Sequence, residues 1–195
     1  YSNTGKTIAS GVVQDSNNVY FGDYGGKAYA LDKTDGTEVW SFTQAGSIDS
    51  GFAEDLDNVY FGSTSGNVYA LNKTDGAQVW VFDEPNFVYS GVVQDSDNVY
   101  FGDTNDNAYA VDKTDGTEVW SYDAKGNIRD GIAIDSDNAY FTSDGIVLSA
   151  VSINGPLIRN LSRFETIDPS VQSSSQPTLF VYEGDTVAFG VDTVN

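Results

Sequence analysis

A shift of forty residues lays this sequence over itself. Gly11, Gly51, Gly91 and Gly131 coincide, as do Tyr20, Tyr60, Tyr100 and Tyr140, and then Phe21, Phe61, Phe101 and Phe141. Farther along each unit Tyr29, Tyr69 and Tyr109 align, followed by Ala30, Ala70, Ala110 and Ala150, and by Trp40, Trp80 and Trp120. A fifth copy is weaker, with Phe180, Phe189 and Asp192 falling 160 residues after Tyr20, Tyr29 and Asp32. Strict self-similarity at this period admits few architectures, chiefly a propeller or a solenoid of stacked strands.

Within a unit the pattern is four short β-prone runs, as in Ser10-Gly-Val-Val-Gln, Asn18-Val-Tyr-Phe-Gly, Ala28-Tyr-Ala-Leu and Glu38-Val-Trp-Ser-Phe, here called strands A to D. Asp15-Ser-Asn-Asn and Asp32-Lys-Thr-Asp-Gly separate them with turn chemistry, because Asp and Asn cap nearby amides and Gly accepts positive φ. Strands B and C are apolar on consecutive residues, which a sheet covered on both faces requires. A four-stranded sheet wedged between two like itself is a propeller blade, whereas a solenoid favours shorter repeats and one apolar face. The fold expected is therefore all-β, a β-propeller of four-stranded antiparallel blades. The sequence divides into one domain over 1–195 with blades near 8–42, 48–82, 88–122, 128–162 and 168–195, the last incomplete. Two closures are compatible with this: a five-bladed ring with one thinned outer edge, or part of a larger propeller. In the fourth unit Asn160 falls where Trp is expected and Gly155 comes one residue early.

The segment Tyr29-Ala-Leu-Asp-Lys-Thr-Asp-Gly-Thr-Glu-Val-Trp40, echoed from Tyr69 and from Tyr109, resembles the repeat of the pyrroloquinoline quinone (PQQ) propeller superfamily. The resemblance implies that each Trp docks between neighbouring blades. It also raises a quinone-dependent dehydrogenase as an alternative, with Ca²⁺ beside the quinone, a catalytic Asp and often a vicinal Cys pair. Against that, the sequence has no Cys, and its Arg residues (Arg129, Arg159, Arg163) fall in the later, degenerate units. Its carboxylates recur once per unit and so are dispersed around a ring, whereas hard-cation coordination needs six to eight converging oxygens. No cofactor and no metal are expected on this reading. A third alternative is a glycan-binding or adhesion propeller.

Composition narrows the function classes further. There are 29 Asp and Glu against 9 Lys and Arg, a net charge of −20, and no His, Cys or Met. A surface of that sign repels phosphate backbones and anionic lipid heads, so neither nucleic acid nor membrane insertion is expected. Molar salt shortens the Debye length to about 3 Å and removes most of the self-repulsion, so the composition reads as halophilic. Nucleophilic triads built on His or Cys are excluded outright. Tyr1 opens the sequence without a Met, as a processed form or a fragment would.

The copies also differ in an organised way. Strand cores and the A–B and C–D turns hardly change, while the D–A connections (Thr43-Gln-Ala-Gly-Ser-Ile-Asp, Asp83-Glu-Pro-Asn-Phe-Val-Tyr, Asp123-Ala-Lys-Gly-Asn-Ile-Arg) and the B–C turns near Tyr24, Thr64 and Asn105 do. Antiparallel counting places both variable sets on one face. Loops on a rigid scaffold carry recognition, and aromatics and Arg dominate interface energetics, so Tyr24, Phe87, Tyr89 and Arg129 are the candidate partner-binding residues. The expected role is a non-catalytic protein-interaction or assembly scaffold, extracellular or at the cell surface, with protein partners or partner subunits and a possible homo-oligomer. The sequons Asn72-Lys-Thr74 and Asn160-Leu-Ser162 would permit glycosylation there.

Overall fold

Short β-prone runs closed by side-chain-capped turns leave each unit one economical arrangement, a meander. The computed structural model describes residues 6–44, 46–83, 86–144, 147–153, 158–161, 178–180 and 188–190. Unit one forms β1 (Val13–Gln14), β2 (Asn18–Gly22), β3 (Lys27–Asp32) and β4 (Glu38–Thr43), paired in that order. Unit two repeats it with β5 (Phe52–Glu54), β6 (Asn58–Gly62), β7 (Asn67–Asn72) and β8 (Gln78–Asp83). Unit three has β9 (Val93–Gln94), β10 (Asn98–Gly102), β11 (Asn107–Asp112) and β12 (Glu118–Asp123), and unit four has β13 (Ile132–Ile134), β14 (Asn138–Ser143), β15 (Val147–Ser152) and β16 (Ile158–Leu161). All pairings are antiparallel, and no helix occurs among the described residues. The four-stranded antiparallel blade read from the sequence is what forms.

The turns close as their residues dictate. Asp15 Oδ1 accepts the amides of Asn17 and Asn18, both at 2.8 Å, while its Oδ2 takes the Tyr20 hydroxyl at 2.8 Å. Asp55, Asp95 and Asp135 repeat this arrangement with Tyr60, Tyr100 and Tyr140. At the C–D turn Asp32 Oδ1 caps the Thr34 amide, and Gly36 takes φ 72° to bring its N–H back to the Asp32 carbonyl. These are local backbone devices, as the sequence indicates.

The core lies in the seams between blades. Tyr60, Ala70 and Trp80 of the second unit cluster with Val88, Val92, Val99, Phe101, Tyr109 and Val111 of the third. The same positions one unit earlier join Tyr20, Ala30 and Trp40 to Ile48, Phe52, Val59, Phe61, Tyr69 and Leu71. Adjacent residues of strand B thus serve opposite seams: Tyr60 faces the third blade and Phe61 the first. Each Trp crosses its seam, the indole N–H of Trp40 donating to the Lys73 carbonyl at 2.9 Å and that of Trp80 to the Lys113 carbonyl at 2.8 Å. Lys73 reinforces the seam by reaching back to Asp15 of the preceding blade at 3.0 Å, as Lys113 does to Asp55 at 2.8 Å.

The innermost strands lie against one another across the blades. A Cβ on Gly11 would come within 2.9 Å of Gly51 Cα, and one on Gly51 within 3.1 Å of Gly91 Cα, so only backbone fits there. The strand-ending Gly22, Gly62 and Gly102 answer a different demand. The next D–A loop inserts Ile48, Val88 or Ile128 over them, and a Cβ would sit 2.3–2.4 Å from those side chains.

Three details depart from the sequence reading. Strand A runs from Val13 instead of Ser10, because the Ser10 hydroxyl takes over the end of strand B: it accepts the Gly22 amide and donates to the Gly22 carbonyl. In unit four Ala150 pairs with Arg159, so Arg159 and not Asn160 stands opposite the alanine that faces Trp40, Trp80 or Trp120 in the other units. Unit four also lacks the register shift that the other three show after that alanine. In unit five β17 (Thr178–Phe180) pairs with β18 (Ala188–Gly190), joining Phe180 to Ala188, two residues out of the register Tyr20↔Ala30. The remainder of that unit, and the question of ring closure, lie outside the described residues.

Candidate functional site

The D–A loops and B–C turns meet on one face through their backbones. Ile48 N–H donates to the Asp23 carbonyl and Thr64 N–H to the Ser47 carbonyl, so one loop clasps the turns of two successive blades. The next loop does the same through Val88 N–H to Ser63 O and Thr104 N–H to Phe87 O, and the third through Ile128 N–H to Asp103 O and Asp144 N–H to Asn127 O. The scaffold beneath is rigid where Asp23 and Asp103 are fully buried, each carboxylate capping two amides of its turn and accepting a Tyr hydroxyl, from Tyr29 at 2.9 Å and Tyr109 at 3.3 Å. Variable loops are therefore held on a fixed platform.

On this face Phe87 is 51% exposed and meets half-buried Tyr89 edge-on, ring centroids 6.1 Å apart and planes at 83°. Arg129 is exposed, its Nε 3.7 Å from Asp144 Oδ2, which also accepts Asn127 Nδ2 at 2.9 Å. The Phe87 and Arg129 loops both bond to the turn at 103–107, so the aromatic pair and the guanidinium flank one blade. Tyr24 is equally exposed at 52%, but its turn bonds to Thr7 and Ile48. Phe87, Tyr89 and Arg129 thus sit on the two loops that bond to the third blade's turn, and Tyr24 sits on the turn of the first blade.

The structure adds residues that sequence reading passed over. Asp106 and Lys125 take φ of 70° and 57°, the left-handed region that non-glycine side chains avoid. They adjoin one another, with Ala124 N–H donating to the Asp106 carbonyl and the Lys125 ammonium paired with Asp123. Repeat comparison contained the signal, since Asp106 occupies the place of Gly26 and Gly66, whose φ values are 78° and 91°. Changing Asp106 to Gly should raise stability by about 0.5 kcal/mol, read as a higher urea midpoint with unchanged slope. A lower midpoint would mean that the carboxylate is held there by attraction to Lys125. Asp49 precedes its inner strand at the place of Tyr89 and Arg129. Its Oδ1 is buried without a hydrogen-bond partner among the described residues, and burial raises its pKa while the Ser47 hydroxyl pulls the other way. Among the described residues no group of three or more acidic side chains is placed to hold a metal ion.

The opposite face carries the turns that change least between copies and a set of carboxylates tied into the fold. Asp55 is desolvated, which favours its neutral form, yet the Lys113 ammonium, the Asn58 amide and the Tyr60 hydroxyl outweigh that and bring its pKa to about 2. Asp15 and Asp95 are lowered by the same balance of burial against hydrogen bonds. Two of these carboxylates reach across a seam, Asp15 to Lys73 and Asp55 to Lys113.

Compared with known proteins, the chain matches over residues 3–86 and 24–191 the family model described as outer membrane protein assembly factor BamB. Among solved structures it is similar to BamB from Moraxella catarrhalis, with 22% identity, TM-score 0.71, and coverage of 80% of this chain and 50% of that one. It is also similar to the computationally designed Ika4 protein, with 12% identity, TM-score 0.72, and coverage of 78% and 94%. Quinohemoprotein alcohol dehydrogenase from Comamonas testosteroni shares the fold at 14% identity and TM-score 0.68, over 78% of this chain and 34% of that one. The chain thus spans about half the length of the Moraxella protein. None of the curated proteins matches it. With blades, seam tryptophans and a family match over most of its length in agreement, the chain belongs to the BamB-type family of PQQ-like repeat β-propellers.

Proposed function

We propose that this propeller is a non-catalytic scaffold that binds a protein partner through the patch formed by Phe87, Tyr89 and Arg129, with Tyr24 as a separate contact. The observation carrying this reading is the pair of exposed Phe87 and half-buried Tyr89 on the face where otherwise near-identical repeats differ. An aromatic half in water contributes little to folding, yet it is the residue type that most often anchors an interface. The BamB-type family match supports an assembly role, and an export destination in a high-salt setting fits the net charge of −20.

Replacing Phe87 and Tyr89 together by Ala should weaken partner capture from an envelope extract by about 30-fold, the effect of losing one strong anchor, while Tm stays within about 2 °C. Unchanged capture with a Tm lower by many degrees would assign the pair to the fold instead. Titration with pyrroloquinoline quinone and Ca²⁺ should leave the absorbance of both components unperturbed. A saturable spectral change would replace this reading with that of a dehydrogenase, whose fold the chain shares.

A further inference from the structure

The C–D turn occurs three times with one difference in its first residue: Asp32-Lys-Thr and Asp112-Lys-Thr in the first and third blades, Asn72-Lys-Thr in the second. In all three the side-chain oxygen closes the turn, accepting the amide two residues on at 2.7 Å, 2.8 Å and 2.7 Å. The turn needs an oxygen and makes no demand on the second atom of the group. At Asn72 that atom is an amide nitrogen, which donates no hydrogen bond among the described residues and is not among their buried, partnerless side-chain atoms. Nδ2 is therefore free and reaches solvent. Thr74, whose hydroxyl completes the acceptor triplet, is exposed, while Lys73 between them is tied down by Glu54 at 2.6 Å and Asp15 at 3.0 Å.

We propose that Asn72 is an N-glycosylation site, taking an oligosaccharide from a lipid-phosphate-linked donor as the chain is exported; this rests on the export destination proposed above. In the transfer Nδ2 forms a bond to the anomeric carbon, the bond from that carbon to the lipid phosphate oxygen breaks, the phosphate leaves with the electron pair, and the amide gives up one proton. The product keeps Oδ1 unchanged, so the Thr74 cap survives and the blade closes around a modified residue as it does around an unmodified one. Blades one and three, with Asp at this place, have no nitrogen to offer. The site also lies at the far end of β7 from the variable loops, about 20 Å away by strand rise, so a glycan there leaves the partner patch open.

The test is the full chain carrying an added export signal in glycosylating cells, analysed by intact mass and by mass spectrometry of the peptide containing Asn72. The expected result is a glycan mass on that peptide that disappears in Asn72→Asp and in Thr74→Ala and persists in Asn160→Gln. Asn72→Asp is safe for folding, because Asp32 and Asp112 already close the same turn. An unmodified Asn72 peptide, while a reporter sequon exported by the same cells is fully modified, would overturn the proposal. So would modification confined to Asn160. Since the export signal is supplied, neither result bears on the partner patch or on the natural destination.

Discussion

Trp80→Ala is expected to lower stability by about 4 kcal/mol, at the upper end of aromatic-to-alanine losses in well-packed cores. The side chain is 5% exposed, packs at a tilt against Tyr60 of its own blade with ring centroids 5.8 Å apart, and lies against Gly116 of the next, where a Cβ would be only 2.8 Å from Trp80 Cδ2. Truncation leaves a cavity across the seam and strands the Lys113 carbonyl that the indole N–H satisfies at 2.8 Å. For a domain of this size the loss corresponds to a Tm lower by about 8–16 °C. Trp80→Phe should recover most of the packing but not the hydrogen bond, leaving a deficit near ~1 kcal/mol. A loss below about 1 kcal/mol for the alanine variant would mean that the seams are not where this fold keeps its stability.

Asp55→Asn should cost about 2 kcal/mol at neutral pH, and the cost should vanish in acid. Asn keeps one oxygen for the turn amides of Asp57 and Asn58, but offers no anion to Lys113 at 2.8 Å and no second acceptor to the Tyr60 hydroxyl at 2.9 Å. Breaking a fully buried pair costs more than this; here the Lys113 and Asp55 side chains retain 15% and 18% exposure, which moderates the effect. The sign of the pH dependence follows from the lowered carboxyl. Its folded pKa of about 2 lies below the unfolded value near 3.8, so its contribution is complete above about pH 4 and is lost as the pH falls toward 2. Denaturant midpoints of parent and variant measured from about pH 7 to about pH 2 should therefore converge at the acid end. A gap that stays constant across this range would show that lost packing, and not the charge, sets the cost.

The candidate patch was legible only in part. Phe87, Tyr89 and Arg129 stood out because near-identical copies expose every departure, and counting strands put them on the face where the D–A loops meet the B–C turns. Their grouping around one blade, with Tyr24 left apart, follows from which turn each loop bonds to, and that pairing is set by backbone hydrogen bonds absent from any sequence pattern. The strain at Asp106 was readable as a Gly-to-Asp change between copies, whereas Lys125 had no such marker because its counterparts are not glycines.

By itself the sequence determined the unit: four strands, the Asp-capped turns, the two-sided apolar strands and the seam tryptophans. Each of these is a local or nearest-neighbour matter that recurs every forty residues. Tertiary structure alone decided that Gly62 must leave room for Val88, that Lys73 reaches Asp15 in another blade, and that the fourth unit slips by one residue to seat Arg159 opposite Ala150. The physical reason is the same in each case. A repeat pattern specifies which surfaces are apolar and which turns are tight, but the contact between two units depends on how far apart their backbones come to rest, and that distance exists only once the blades have packed.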